Sequence, residues 1–470
     1  MVLASIVCLG MTVRVRQYFA MPSFWCDEAF VVVNVVDKTY GELAGPLRCH
    51  QAAPLLFLWS LRWLYLCAGA NELAMRLPAL LAGLASLLVF IPLARQTAGR
   101  PGGLWAVAFC ALSAHAVNHS VEVKPYALDL LMSSLLLWAA SGVLRAEPGM
   151  AAWRWSWLGL MGGSLVGPWL SYPSLFILGG ASLALAIDAW SRKIRWYWYG
   201  WGGLNAVTLL SVATVWLTTI RYQRTSHLVD CWQFAFLDLS SVGAAFLWVV
   251  NYVVKVGNYA STGLGIPLAL LGFVGLVELW RQSRPLVLLL VGPLGIALVP
   301  NSLRLYPLDD RLLFFAAPCL WLIAAAGISV VLKQFRGRAG WVGVLALAAL
   351  VLPAAVLSAR NLVVVEPKVD YRTAFDFVLR EQESGDLWWV PQAEVAEAYF
   401  GRAGAGLSYQ TPEAIAQAAH GKRLWIVTDL PPKGPLIEPE QTRQLEIAGL
   451  TLRARKDWKT VSVLLYAPSP

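Results

Sequence analysis

The stretch FWCDEAF (24–30) sets two carboxylates, Asp27 and Glu28, side by side in a chain whose charged residues make up only 14%. A carboxylate within hydrogen-bond reach of a hydroxyl can take its proton. A second acid close by can shift the first one's pKa, or bind an acceptor or an ion. Neighbours on a helix point about 100° apart, so the two acids are not expected to reach one reacting atom together. The plainer reading makes Asp27 the N-cap of a helix over 28–36, but a cap needs no second acid. HSVEVKPYALDLL (119–131) adds Glu122 and Lys124, which read either as an ion pair at a span end or as direct substrate contacts. His50, His115 and His119 raise the question of a metal, yet they form no close-spaced ligand motif.

What must position these groups is a membrane. The 470 residues are 58% hydrophobic and include 23 Trp, which is not the make-up of an ordinary soluble globule. Apolar runs near the ~20 residues that cross a hydrocarbon core recur through residue 360. They predict eleven spans, near 1–20, 75–94, 102–118, 125–144, 156–171, 173–190, 200–220, 263–280, 285–303, 312–332 and 340–358, with Pro168 and Pro173 marking a tight turn. Two further apolar stretches, 54–68 and 241–256, hold Arg62 and Asn251 with Lys255. They are expected to lie on or partly in the outer surface as amphipathic segments.

Alternate connections carry Arg95 and Arg100; Arg145 and Arg154; Arg192, Lys193 and Arg195; Arg281 and Arg284; Lys333, Arg336 and Arg338, with Glu147 the one acid among them. By the positive-inside rule these loops are cytoplasmic and the N-terminus is inside. Arg14 and Arg16 fit this less well, lying toward the outer end of the first span. The Trp-rich WRWSW (153–157) and RWYWYGWGG (195–203) fall at the cytoplasmic boundary, as an interface belt. Asp27 and Glu28, the 119–129 motif, the loop at 304–311 and the C-terminal residues then share the outer face. Polar groups kept at a bilayer edge are functional candidates.

The division expected is a membrane domain over 1–360, with outer-face loops 21–74 and 221–262, and a small extracytoplasmic α/β domain over 361–470. In the latter DYRTAFDFVLREQE (370–383) reads as a helix and LWWV (387–390) as a strand. TPEAIAQAAH (411–420) has Thr at a cap and Pro at the first helical position, before strand-like RLWIVTDL (423–430). A helix near 438–448 and strands LTLRAR (450–455) and VSVLLYA (461–467) complete it. The +9 net charge belongs to the membrane part and implies no nucleic-acid partner. Seven Cys contain no CxxC pair. Cys26, Cys49 and Cys231 could pair in an oxidising compartment, although small semi-buried thiols are the favoured reading. The first span runs into Arg14 and Arg16 without a small-residue cleavage site, so no cleavable signal peptide is expected.

The ordered set of motifs resembles the GT-C superfamily of integral-membrane glycosyltransferases. The likeness is to the bacterial branch related to protein O-mannosyltransferases and the lipid A aminoarabinose transferase (glycosyltransferase family 39-like). In that branch an Asp-Glu pair follows an aromatic in the first outer loop, here Asp27 and Glu28. A QxAP-like segment opens an amphipathic helix, here Gln51 to Pro54. A G…E..LRLP run enters the second span, here Glu72, Arg76 and Pro78, and E-x-K/R-x-Y follows the third, here Glu122, Lys124 and Tyr126. The likeness covers residues 20–145; later spans agree only in hydropathy. DDRLLFFAAP (309–318) is similar to the family's Arg-containing start of a late span, with Leu312 where Tyr is common.

The resemblance implies a polytopic fold of about eleven transmembrane helices in a bacterial inner membrane. It implies a polyprenyl-phosphate sugar donor, a lipid, glycan or protein acceptor, and inversion at the anomeric centre. Asp27 would be the base, with Glu28 beside it. Lys124 and Arg311 would hold the phosphate, Arg76 in reserve, with Gln51, Glu122 and Tyr126 in substrate binding. Some relatives bind a divalent ion, for which no ligand is assigned here. No GxxxxGK[ST] loop occurs, so no nucleotide site is required. The competing expectations are a lipid or solute transporter, which would show repeat symmetry or midplane polar groups, and a non-catalytic envelope scaffold.

Overall fold

The structure, a computed structural model, describes residues 1–20, 22–261, 265–334, 352–360, 362–365, 368–430 and 435–469. The chain divides into two compact units. One comprises Met1–Tyr18, Tyr40–Ser60 and Arg76–Val364; the other comprises Phe19–Thr39, Leu61–Met75 and Val365–Pro470.

The first unit is helical. Among the described residues seven helices are long and apolar enough to cross a membrane: Val2–Phe19, Glu72–Leu112, Tyr126–Arg145, Ser174–Arg192, Arg195–Gln223, Arg284–Ser302 and Arg311–Gln334. The difference from eleven has local causes. Glu72–Leu112 counts once, but Gly99 at φ 70°, ψ −175° breaks it into two arms that match the predicted second and third spans. That backbone conformation is open to glycine and strained for any other residue. Helix Ala151–Leu170 forms where expected, but its WRWSW start makes it less apolar. Helix Gly265–Gln282 forms too, and lies at 101° to Val242–Ala260. The span near 340–358 lies largely outside the described residues; 352–360 is helical. The 54–68 stretch is a short helix, Leu55–Ala68, as its length implied.

Helices Gly265–Gln282 and Ala317–Gln334 cross at glycine. A Cβ on Gly275 would stand 1.9 Å from the Ile323 carbonyl oxygen, and one on Gly327 2.0 Å from that of Leu271. Small residues let backbones approach where lipid supplies no hydrophobic drive between helices.

Arg14, out of place by the charge rule, is fully buried. Its guanidinium donates to the carbonyls of Gly10 (2.8 Å), Ala111 (2.9 Å) and Cys110 (2.9 Å), and to Ser120 Oγ (3.2 Å). It satisfies the open carbonyls where Glu72–Leu112 ends, a position that favours a cation.

The second unit has a four-stranded sheet of order β1-β2-β4-β3, with β1 Leu387–Trp389, β2 Leu424–Asp429, β3 Leu450–Asp457 and β4 Val461–Pro468. β1 runs parallel to β2, and the other pairs are antiparallel. Trp425 and Val427 of β2 pack with Tyr371, Phe375 and Val395, while Leu424 and Ile426 pack with Ile415, Leu445 and Tyr466. This is the two-residue alternation of a strand covered on both faces. Thr411 caps helix Pro412–Ala418 by accepting from the Ala414 N–H, and Pro412 opens it, as the sequence indicates. Helix Ala393–Gly404 was not anticipated. It packs on helix Cys26–Asp37, so this unit draws in residues 19–39, which a linear cut near residue 360 leaves with the membrane helices.

Candidate active site

In the first unit, Ser113 caps a short helix, Ala114–His119, by accepting from the Ala116 N–H. A tight turn then carries Glu122 and Lys124, closed by a 2.8 Å bond from the Lys124 N–H to the Glu122 carbonyl, before helix Tyr126–Arg145. Lys124 Nζ donates to Gln51 Oε1 at 2.7 Å, and Gln51 Nε2 donates to the Cys49 carbonyl at 3.1 Å. Gln51 follows two non-glycine residues with positive φ, Cys49 (58°) and His50 (50°). Backbone strain of this kind gathers where surrounding structure holds a group in place for use.

Beside Lys124 lies a polar chain. His119 Nδ1 meets Glu122 Oε2 at 2.8 Å, and His119 Nε2 meets Tyr259 OH at 2.5 Å. The Tyr126 ring is 4.8 Å from His119, and the Arg311 guanidinium carbon is 5.9 Å from the Tyr126 ring centre. His119, Glu122, Lys124 and Tyr126 are all buried. Arg76 is buried in the same unit. Lys255 Nζ bonds Asp309 Oδ2 at 2.7 Å. Of the residues singled out in sequence, Gln51, Glu122, Lys124, Tyr126 and Arg311 thus form one connected neighbourhood. Tyr259 was missed as a member, although the polar residues that interrupt the apolar run of helix Val242–Ser261 were a visible signal.

Next to Gln51 in sequence, the His50 ring is 4.2 Å from that of His227, and Cys231 Sγ is 3.4 Å from His227 Nε2. Among the described residues no group of three or more His, Cys, Asp or Glu is arranged to hold a metal ion. Cys8, Cys67, Cys110, Cys231 and Cys319 form no disulfide.

Asp27 and Glu28 belong to the second unit, in the first turn of helix Cys26–Asp37. Acids there are favoured by the helix dipole. The cap is Trp25 and not Asp27, which is the second helical residue, so the cap reading of Asp27 does not hold. Glu28 is the one that serves the helix start. Its Oε2 accepts from the Trp25 N–H at 3.4 Å, and its side chain is buried. The Lys368 ammonium lies 3.7 Å from the Trp25 ring centre, within cation–π range. Glu72, part of the E..LRLP run, accepts from Tyr399 OH at 2.8 Å and pairs with Arg372. Tyr399 OH in turn accepts from the Phe24 N–H at 2.8 Å. Burial, and then the Glu72 carboxylate, push the Tyr399 phenol above its ordinary pKa.

No family model and no curated relative matches the chain. Solved structures do. ArnT from Cupriavidus metallidurans in the apo state is 14% identical with a TM-score of 0.53, over 98% of this chain and 98% of that one. The same protein bound to undecaprenyl phosphate gives 15% and 0.53, over 98% and 97%. The Archaeoglobus fulgidus oligosaccharyltransferase, in complex with Zn and sulfate, gives 12% and 0.51, over 91% of this chain and 68% of that one. Taken with the helical membrane unit and the small C-terminal sheet, these similarities show that the chain is a polytopic membrane protein with the fold of the GT-C glycosyltransferases.

Proposed function

We propose that the protein moves a sugar from a polyprenyl-phosphate donor to a hydroxyl of a lipid, glycan or protein acceptor, at the outer face of a bacterial inner membrane. The observation that carries the reading is the half-buried Lys124–Gln51 bond set among Glu122, Tyr126 and Arg311. It supplies cations for a phosphate on a fold shared, over nearly the whole chain, with a protein solved with undecaprenyl phosphate.

In this reading the acceptor oxygen attacks the anomeric carbon from the face opposite the phosphate. The bond from that carbon to the phosphate oxygen breaks, and configuration inverts. The polyprenyl phosphate leaves with the bonding electrons, its charge stabilised by Lys124 and Arg311 with Arg76 behind them. The acceptor proton passes to Asp27. Glu28 fixes the helix start that presents Asp27. Gln51, Glu122 and Tyr126 set the donor's position.

The orientation that serves this chemistry places the basic loops and N-terminus in the cytoplasm and residues 361–470 outside. Reporter fusions after Arg100 and Arg195 should read cytoplasm, and one at the C-terminus should read exterior. The function is tested by incubating purified protein with a panel of polyprenyl-phosphate sugars and following donor loss by mass spectrometry. Consumption of at least one donor, abolished in Asp27→Asn, is expected. An intact panel, with acceptor lipids, glycans and peptides present, would overturn the reading.

A further inference from the structure

At the end of the helices that carries the basic loops, a cavity of about 260 Å³ opens where four segments converge. They are the Gly99 break of Glu72–Leu112, the last turn of Tyr126–Arg145, the last turns of Gly265–Gln282, and the last turns of Ala317–Gln334. Its wall carries three cations, Arg95, Arg145 and Lys333, against one carboxylate, Glu278. That carboxylate already accepts from Gln282 Nε2 at 2.8 Å. Thr97 also lines the cavity, is only 3% exposed, and among the described residues its hydroxyl has no hydrogen-bond partner. A buried hydroxyl left open is costly unless something meets it.

We propose that this cavity binds the phosphate of an anionic membrane phospholipid, with Thr97 Oγ1 donating to it and Arg95, Arg145 and Lys333 supplying its counter-charge. Basic loops alone account for part of the pattern. Cations in the last turn of a helix answer the helix dipole, which covers Arg145 and Lys333. It covers Arg95 too, which lies in the last turn before the Gly99 break, but it leaves out the buried hydroxyl. An anion explains all four groups at once, since cations and a hydroxyl donor converge on one small space. A lipid is favoured over a soluble anion because the site lies at the ends of membrane helices, one turn from the half-exposed Trp280. Tryptophan at such a position marks the headgroup level, and basic pockets between helix ends are where anionic headgroups are held.

The test uses the full chain, purified in detergent and titrated with phosphatidylglycerol or phosphatidylcholine under native mass spectrometry. One saturable phosphatidylglycerol site is expected, without a phosphatidylcholine counterpart. Arg95→Gln, Arg145→Gln and Lys333→Gln should each weaken it about fivefold, and Thr97→Val about tenfold. Arg154→Gln, a basic change outside the cavity at a basic connection, should leave it unchanged. Diffuse attraction to a positive surface would give Arg154→Gln the same loss as Arg95→Gln and none to Thr97→Val, and that pattern overturns the proposal. Should the variants misfold, acetylation of Lys333 in the wild-type protein decides. Protection by phosphatidylglycerol is expected; no protection overturns the site. Equal protection by inorganic phosphate without lipid overturns the choice of a lipid source.

Discussion

Lys124 and Gln51, 73 residues apart, meet through a 2.7 Å hydrogen bond from ammonium to amide oxygen. The bond leaves the ammonium charged and fixes where it points. A carboxylate at position 51 would do otherwise. Gln51→Ala should weaken donor binding about tenfold, the worth of one hydrogen bond to a charged group. Gln51→Glu should weaken it further, by pairing with Lys124 and cancelling the charge a phosphate needs. The reverse order, measured by donor titration, would remove the positioning role of Gln51.

Lys124→Ala and Arg311→Ala should each weaken donor binding and slow transfer, while Lys422→Ala, on the exposed surface of the second unit, should do neither. Lys368→Ala is expected to disturb the Asp27 segment, because the Lys368 ammonium lies over Trp25, two residues before Asp27. Unchanged donor binding in both site variants would move the phosphate site elsewhere, with Arg76 next in line.

Asp27→Asn keeps the shape of the side chain but cannot take the acceptor proton. Transfer should fall by at least ~100-fold, with insertion and donor binding intact. Glu28→Gln retains an oxygen that can accept the Trp25 N–H and should fold normally, whereas Glu28→Ala should lose about 1 kcal/mol at the helix start. Near-normal turnover in Asp27→Asn at saturating donor would place the base elsewhere, with Glu122 the first residue to try.

Much of this site was legible in one sequence because its parts come as short polar motifs against an apolar background. FWCDEAF, the QAAP segment and VEVKPY stand out for that reason. Their joining was not legible. That Lys124 would find Gln51, or His119 link Glu122 to Tyr259, depends on tertiary packing that no local pattern encodes. The strands of the C-terminal sheet were visible as short runs rich in apolar and β-branched residues. Helix Ala393–Gly404 was not, since AEVAEAYFGRAG has few large apolar residues and two glycines. The role of Arg14 was hidden as well, because charge counting along a chain does not see a guanidinium capping another helix.

Gly327 has no room for a side chain, with a Cβ placed 2.0 Å from a backbone oxygen that cannot swing away. Gly327→Ala should therefore force the two helices apart, lowering the thermal midpoint by several degrees and broadening the elution profile in detergent. Gly162→Ala, where a Cβ meets nothing within 4 Å, should be neutral or slightly stabilising. Equal midpoints for the two variants would show that the crossing relaxes without cost.

Asp429 lies partly buried at the end of β2, and burial raises its pKa despite the hydrogen bond from Tyr371, which acts to lower it. A carboxyl whose pKa is higher folded than unfolded favours the fold while protonated. That advantage is lost as pH rises through the folded value. Asp429→Asn keeps an acceptor for Tyr371 and has no proton to lose. It should be more stable than the parent at pH 8 and no more stable at pH 4, read from thermal midpoints of the purified protein. A constant difference across that range would show that Asp429 does not titrate between the two states.

The second unit is assembled from residues that leave the ribosome far apart in time. Helix Cys26–Asp37 is made early, while its neighbour Ala393–Gly404 and the Tyr371 and Phe375 side chains that pack with Ala29 come near the end of synthesis. At ~5–20 residues per second the wait is roughly twenty seconds to a minute. Through that interval the Asp27–Glu28 segment has been translated without the partners that complete its core. A newborn chain therefore holds its proposed base in unfinished form until the last strands arrive, and a message broken late yields membrane helices without the completed core around Ala29.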